Sequence, residues 1–228
     1  MSGSNGELPL VLMPGMGTDA RLFDDQRPSF KTLITPDWLD PQPRESLRDY
    51  GRRMVDALPV EPPYVLGGVS FGGMLALEMA RHAKPRGVVL IASCRSRAAL
   101  PLRLRLLARW GPLLPDFVAD ARRVVPAFMY QRVGATRDEH FERCHQMLLD
   151  TPPHLLRWTG RAIHTWPGAE DLDVPVYHVH GDADKIILSN RVRADAWIEG
   201  GGHLLTMSHV EHVNEAIARA MDRFEGPH

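Results

Sequence analysis

Apolar and polar positions along this chain follow two periods. Leu8-Pro-Leu-Val-Leu-Met13 is a short apolar run ending in Pro14-Gly15-Met16-Gly17, which predicts a buried strand entering a sharp turn. Thr32-Leu-Ile-Thr35 predicts a second short strand, closed by Pro36. From Glu45 to Leu58 the period changes. Leu47, Tyr50, Met54, Val55 and Leu58 recur every three or four residues, which predicts a helix that Pro59, Pro62 and Pro63 stop. Tyr64 to Val69 predicts a strand, Met74 to His82 a helix, and Gly87 to Ala92 a strand without a polar face, as inside a parallel sheet covered on both sides. Strand and helix then cease to alternate. Ser93 to about Asp173 offers helical pieces near Pro101–Trp110, Asp116–Gln131, Thr136–Asp150 and Pro153–Ile163. In the first, Leu100, Leu102, Leu104 and Leu106 also alternate as a strand would, but Pro101 and the Leu100/Leu104/Leu107 stripe favour helix. Val174–His180 and Ala196–Ile198 predict two further strands, and Thr206–Phe224 a closing helix.

This pattern is an α/β core, residues 7–93 and 174–225, with a mostly parallel sheet of about six strands flanked by helices. An all-helical insertion, 94–173, lies between two strands. Such an insertion at a strand's carboxyl end sits above the place where open α/β sheets hold ligands, so it is read as a lid.

Composition narrows the picture. Of 228 residues, 27 are Lys or Arg and 28 Asp or Glu, and a formal net charge of -1 supplies no basic field for nucleic acid. No apolar stretch approaches the roughly 20 residues of a membrane span. The polar, Gly/Ser-rich start from Met1 to Pro9 lacks the marks of a secretory signal. Two cysteines, Cys94 and Cys144, make no disulfide framework and read as small apolar residues, so a cytoplasmic setting is expected.

The chemistry concentrates in Val65-Leu-Gly-Gly-Val-Ser-Phe-Gly-Gly-Met74. Here Gly68-Val-Ser70-Phe-Gly72 is a G-x-S-x-G segment between a strand and a helix. A strand that turns straight into a helix brings the positions two before and two after the corner together. Glycines at 68 and 72 remove the side chains that would clash, and Ser70 is held proud of the sheet. A serine nucleophile needs a base, and the base an orienting acid. His180-Gly181-Asp182-Ala183-Asp184 follows one strand, and Gly200-Gly-Gly-His203 follows the last. Asp182 shares the turn with Asp184, and His209 and His212 on the closing helix rival His203. His178 and His180 share a strand face and could bind a metal, but no third ligand stands at suitable spacing. Gly15-Met-Gly17-Thr-Asp-Ala20, with Asp37 further on, also fits a dinucleotide fingerprint. The segment Arg21–Phe30 is short for the crossover helix that reading needs.

With its serine, acid and histidine in that chain order, the sequence resembles the α/β-hydrolase superfamily over nearly its whole length, beginning at what looks like the family's third strand. The resemblance implies Ser70 as nucleophile, Asp184 as acid and His203 as base. It also implies backbone N–H groups of Met16 and Phe71 as the oxyanion hole, with Pro14-Gly15 in place of the usual His-Gly. No cofactor and no metal are implied. The short path from Asp184 to Ala196 leaves little room for the usual helix. The layout is similar to small lidded serine carboxylesterases, including pimeloyl-carrier-protein methyl ester esterases. The expected function is serine-dependent cleavage of a small acyl ester. A thioesterase is the alternative, followed by a non-catalytic ligand binder and an NAD(P)-binding oxidoreductase. Between Cys94 and Val133 eight arginines face only Asp116 and Asp120. Arg103, Arg105 and Arg109 could therefore dock an acidic acyl carrier, although a solvated helix face explains the same charges.

Overall fold

The computed structural model describes residues 8–102, 105–106, 134 and 137–226. Six strands form one sheet: β1 (Leu10–Met13), β2 (Leu33–Ile34), β3 (Val65–Val69), β4 (Gly87–Ile91), β5 (Val176–Gly181) and β6 (Ala196–Ile198). Their order is β2-β1-β3-β4-β5-β6 and every pairing is parallel. This is the α/β-hydrolase architecture that the sequence implies. The two short strands β2 and β6 form the edges.

Alternate side chains of a strand point to opposite faces, and here both faces are covered. Leu10 and Leu12 join one apolar cluster with Val65, Val89 and Ile91, packed against Val213, Ala216 and Ile217 of the last helix. Val11 and Met13 join the other, with Leu66, Val88 and Leu90. That second face is packed by α1 (Leu47–Asp56) and α2 (Phe71–Ala80). Ser46 caps α1 by accepting the Asp49 N–H at 3.1 Å. All ten residues of α2 are buried. Apart from Glu78, which is paired with Arg81 at 2.9 Å, its residues are apolar or glycine all round, as an interior helix requires.

Between β4 and β5 the described part of the insertion contains α3 (Asp138–Asp150) and α4 (Pro153–Thr165). Both pack onto the loops beyond β1 and β2. Arg143 pairs with Asp25 at 2.7 Å, Arg21 with Asp150 at 2.7 Å, and Trp158 donates to the Glu45 carbonyl at 3.1 Å. The helices expected at Pro101–Trp110 and Asp116–Gln131, with Arg103 and Arg109, lie outside the described residues apart from Pro101, Leu102, Arg105 and Leu106.

Two expectations change. The closing helix is not continuous: α5 (Leu205–Ser208) and α6 (Val210–Glu225) are separated at His209, which has φ -135 and ψ 51. Tertiary contacts override the periodicity there. Met207 meets Cys144 at 3.5 Å between sulfurs, and the Thr206 carbonyl accepts from buried Gln26 at 2.9 Å. The dinucleotide reading also loses its helix. The segment after Gly15-Met-Gly17 forms only a 3-10 turn, Ala20–Phe23, so no helix amino end faces a pyrophosphate there.

Candidate active site

Ser70 stands at the corner between β3 and α2 with φ 53 and ψ -117, a backbone region an L residue enters only when its surroundings over-determine it. The surroundings are glycines. A Cβ at Gly68 would come within 2.7 Å of the Met13 carbonyl oxygen and would strike Gly72. A Cβ at Gly72 would collide with the carbonyl oxygens of Met13 and Pro14, and one at Gly73 would lie 2.5 Å from Ser93 Oγ. Hydrogen bonds complete the clamp. The Ser70 N–H donates to the Ile91 carbonyl at 3.0 Å, and Ser93 Oγ donates to the Ser70 carbonyl at 2.6 Å. The Ser70 hydroxyl makes no capping bond to α2. It stays available at the helix's positive end.

The acid and base loops are built differently. The Gly181 Cα and the Gly201 carbonyl approach so closely that a Cβ on Gly181 would overlap the Gly201 backbone. Ala183 N–H donates to the Gly201 carbonyl at 3.0 Å, and Gly200 N–H to Asp182 Oδ1 at 2.8 Å. Asp182 is therefore occupied in closing the loop pair and is exposed. Asp184 is the buried carboxylate, 3% exposed, and its Oδ2 lies 2.7 Å from His203 Nδ1. Its Oδ1 accepts the N–H groups of Ile186 at 2.7 Å and Ile187 at 3.1 Å. Burial pushes the Asp184 carboxyl up, but the charge and hydrogen bond of His203 and the Ile186 N–H outweigh it and hold it below the ordinary carboxylate value. Against this, His209 Nδ1 faces Ser208 Oγ at 2.9 Å, and His212 is exposed on α6.

Parallel pairing puts the ends of β3, β5 and β6 on one edge of the sheet, so Ser70, Asp184 and His203 share that edge. The turn after β1 belongs to it too. A Cβ on Gly15 would lie 3.8 Å from Ser70 Cβ, and Thr18 N–H and Oγ1 both donate to the Gly15 carbonyl, at 3.2 and 2.9 Å. Gly15, next to Met16 in the chain, thus approaches Ser70 in space, and Phe71 follows it in sequence. Phe71 opens α2, and its N–H is among the orphan donors of a first helical turn. Gly17, with φ 72, touches the insertion: a Cβ there would lie 2.9 Å from Leu148 of α3 and 3.5 Å from Leu156 of α4. Gly134 lies against the Gly202–His203 backbone. Burial drives the Cys94 and Cys144 thiols up to about 12 and about 11, leaving them neutral.

The sequence reading missed Ser93. Its only signal was a hydroxyl directly after an apolar strand. His178 and His180, the strand-face pair for which the sequence offers no third ligand, are in contact, with His180 Nδ1 3.2 Å from His178 Nε2.

The Alpha/beta hydrolase family model matches residues 10–220. The chain belongs to the α/β-hydrolase superfamily and is a hydrolase of that class. No curated protein matches it in sequence. Among solved structures it is similar to a thermophilic esterase from Thermogutta terrifontis, with 20% identity, TM-score 0.73, and coverage of 96% of this chain and 91% of that one. It is also similar to MenH from S. aureus, with 16% identity, TM-score 0.73 and coverage of 99% and 97%. A hydrolase from Pseudomonas aeruginosa gives 18% identity, TM-score 0.70 and coverage of 97% and 91%. At such identities the likeness speaks to the fold. Among the described residues no helix is long and apolar enough to cross a membrane.

Proposed function

We propose that this hydrolase cleaves carboxylic esters through an acyl-enzyme on Ser70. The observation that carries the reading is the 2.7 Å contact between His203 Nδ1 and buried Asp184, on the sheet edge that holds the strained serine. Asp184, ionised, fixes the His203 tautomer with Nδ1 protonated, which leaves Nε2 to act as base. Ser70 Oγ attacks the acyl carbon as His203 takes its proton. The tetrahedral intermediate collapses, the C–O bond to the leaving alcohol breaks, and His203 returns the proton to that oxygen. Water attacks the acyl-serine by the same route and releases the acid. Amides of Met16 and Phe71 hold the developing oxyanion, each contributing about 3 kcal/mol. The insertion, with α3 and α4 against the Gly17 turn, is the lid of the acyl site.

Labelling with a fluorophosphonate probe tests this reading. An adduct on Ser70 is expected, lost in Ser70→Ala and in His203→Ala. A folded protein that takes no adduct, or takes one elsewhere, overturns it.

A thioester substrate on an acidic carrier is the second reading, drawn from the arginine-rich stretch. Reversing charge at Arg103, Arg105 and Arg109 should raise KM for a carrier-linked substrate and spare a small neutral ester. Equal effects on both remove the carrier.

A further inference from the structure

His178 and His180 are consecutive inward positions of β5, 5% and 0% exposed. His180 touches the candidate acid: its Nε2 lies 2.9 Å from the Ile187 carbonyl and 3.5 Å from Asp184 Oδ2. Ile187 is the residue whose N–H donates to Asp184 Oδ1, so the two groups grip the acid loop from both sides of one residue. Behind His180, His178 Nε2 lies 3.2 Å from His180 Nδ1, and His178 Nδ1 lies 2.8 Å from the Arg193 carbonyl. The result is a continuous file from Arg193 through His178, His180 and Asp184 to His203.

Counting protons along the file shows a conflict. A carbonyl accepts only, so the Arg193 contact requires a proton on His178 Nδ1, and the Ile187 contact one on His180 Nε2. Two neutral rings have then spent both protons. The facing nitrogens His178 Nε2 and His180 Nδ1 are left as two lone pairs at 3.2 Å. A third proton between them satisfies every contact, but it makes the pair a cation beside Asp184. Burial opposes that proton, driving His178 down to about 4 and lowering His180 as well.

We infer that His180 is a positioning residue for Asp184, and that His178 and His180 form one proton-binding unit whose third proton, held between the two rings, adds a positive charge that competes with a His203 imidazolium for the same carboxylate. With two protons, the pair pins Ile187 and leaves Asp184 Oδ2 to His203. With three, a positive charge 3.5 Å from that oxygen offsets the stabilisation Asp184 gives to a His203 imidazolium. The groups facing the pair are consistent with this assignment. Asp184 and His203 lie on the inner side. Asp195 accepts the His178 backbone N–H at 2.9 Å, and the Ser93 carbonyl also faces the His178 ring. Outside, His178 lines a cavity of about 710 Å³ with Cys94, Arg95, Glu170, Arg191 and Arg193, which gives the buried pair a route to solvent protons.

The inference rests on Asp184 and His203 serving as acid and base. The experiment follows the rate of Ser70 labelling by the fluorophosphonate across pH in wild type, His180→Leu and His180→Gln. Gln places an amide N–H where His180 Nε2–H stands but cannot take a proton. His180→Leu should label between about 10- and 100-fold more slowly at neutral pH, as misplacement of a catalytic group predicts. His180→Gln should recover most of that rate. On the acid side, wild type should fall more steeply than a single protonation allows, and His180→Gln, which cannot take the extra proton, should fall less steeply than wild type. Equal labelling of wild type and His180→Leu at every pH overturns the inference while leaving the serine reading intact. Failure of wild type to label overturns the serine reading itself. If His180→Leu does not fold, imidazole nitrogen NMR of the wild type decides. Nδ1–H on His178, Nε2–H on His180 and one joint acid titration support the pair, whereas the opposite tautomers or two independent titrations refute it.

Discussion

The two halves of the site are held by different forces. On the Ser70 side the backbone is locked by volume, with Gly68, Gly72 and Gly73 each leaving no space for a methyl group and α2 wholly buried behind them. On the Asp184 and His203 side one glycine contact joins the loops, and the functional atoms are then placed by hydrogen bonds among Ile186, Ile187, His180 and His178. The path from β5 to β6 contains only the 3-10 turn Ser189–Arg191 where the superfamily usually has a helix, and the cavity next to His178 opens on that side. Volume does not titrate. Buried histidines do, so the Ser70 side should be insensitive to pH and the Asp184 and His203 side sensitive to it, while added volume is resisted at Gly72 and at Gly181 alike.

The largest effect is expected at Gly72. Replacing it with Ala forces a methyl group into two carbonyl oxygens, and the loss should exceed about 3 kcal/mol, with no labelling of Ser70. Urea denaturation reads the first and the probe the second. A stable, reactive Gly72→Ala protein would break the volume half of the comparison.

Next in size, Asp184→Asn should keep the fold and slow labelling by roughly 10⁴-fold, because the amide permits the wrong His203 tautomer. Equal thermal midpoints with unequal labelling rates sharpen the contrast with Gly72.

The third effect is on stability against pH. Burial holds His178 neutral in the folded chain down to about 4, while the unfolded chain takes its proton near 6.5. The unfolded state therefore binds more protons between those values, and stability falls as pH drops through that window, by about 3 kcal/mol at its lower end from this group alone. His180 shifts in the same direction, and the lowered Asp184 carboxyl adds a further loss at still lower pH. Denaturation midpoints of wild type and His178→Asn from pH 7 to about 4 measure it, and the variant should lose less. A wild type of constant stability over that range would contradict the burial argument.

The smallest effect belongs to Ser93→Ala. It removes the 2.6 Å bond to the Ser70 carbonyl and should lower stability by about 1 kcal/mol, leaving the pH dependence of labelling unchanged.

The same division decides what could be read from the sequence. The elbow is local: the glycines at 68, 72 and 73 specify its geometry by the side chains they lack, and the strands β3 and β4 announce themselves by apolar runs. Gly181 and Asp184 were legible for the same reason; Asp182 shares that turn, and the structure sets the two apart by burial and partner, Asp184 meeting His203 and Asp182 the Gly200 N–H. The break at His209 was invisible because Thr206–Phe224 keeps a helical pattern across it. Its cause is contact with Gln26 and Cys144, far away in the chain. Ser93, and the contacts of the His178–His180 pair that the strand alternation did place on one face, escaped for a related reason. Their partners are carbonyls and ring nitrogens brought together by sheet pairing, and no spacing in the sequence encodes a carbonyl.

The complete burial of α2 has a consequence for exchange with solvent. Its amides should trade hydrogen for deuterium only when the whole domain opens, whereas those of residues 182–195 should exchange through small local openings. Ser70 would then be anchored in the slowest-exchanging part of the molecule and Asp184 in one of the fastest. Any breathing of the site would be movement of Asp184 and His203 toward and away from a stationary serine.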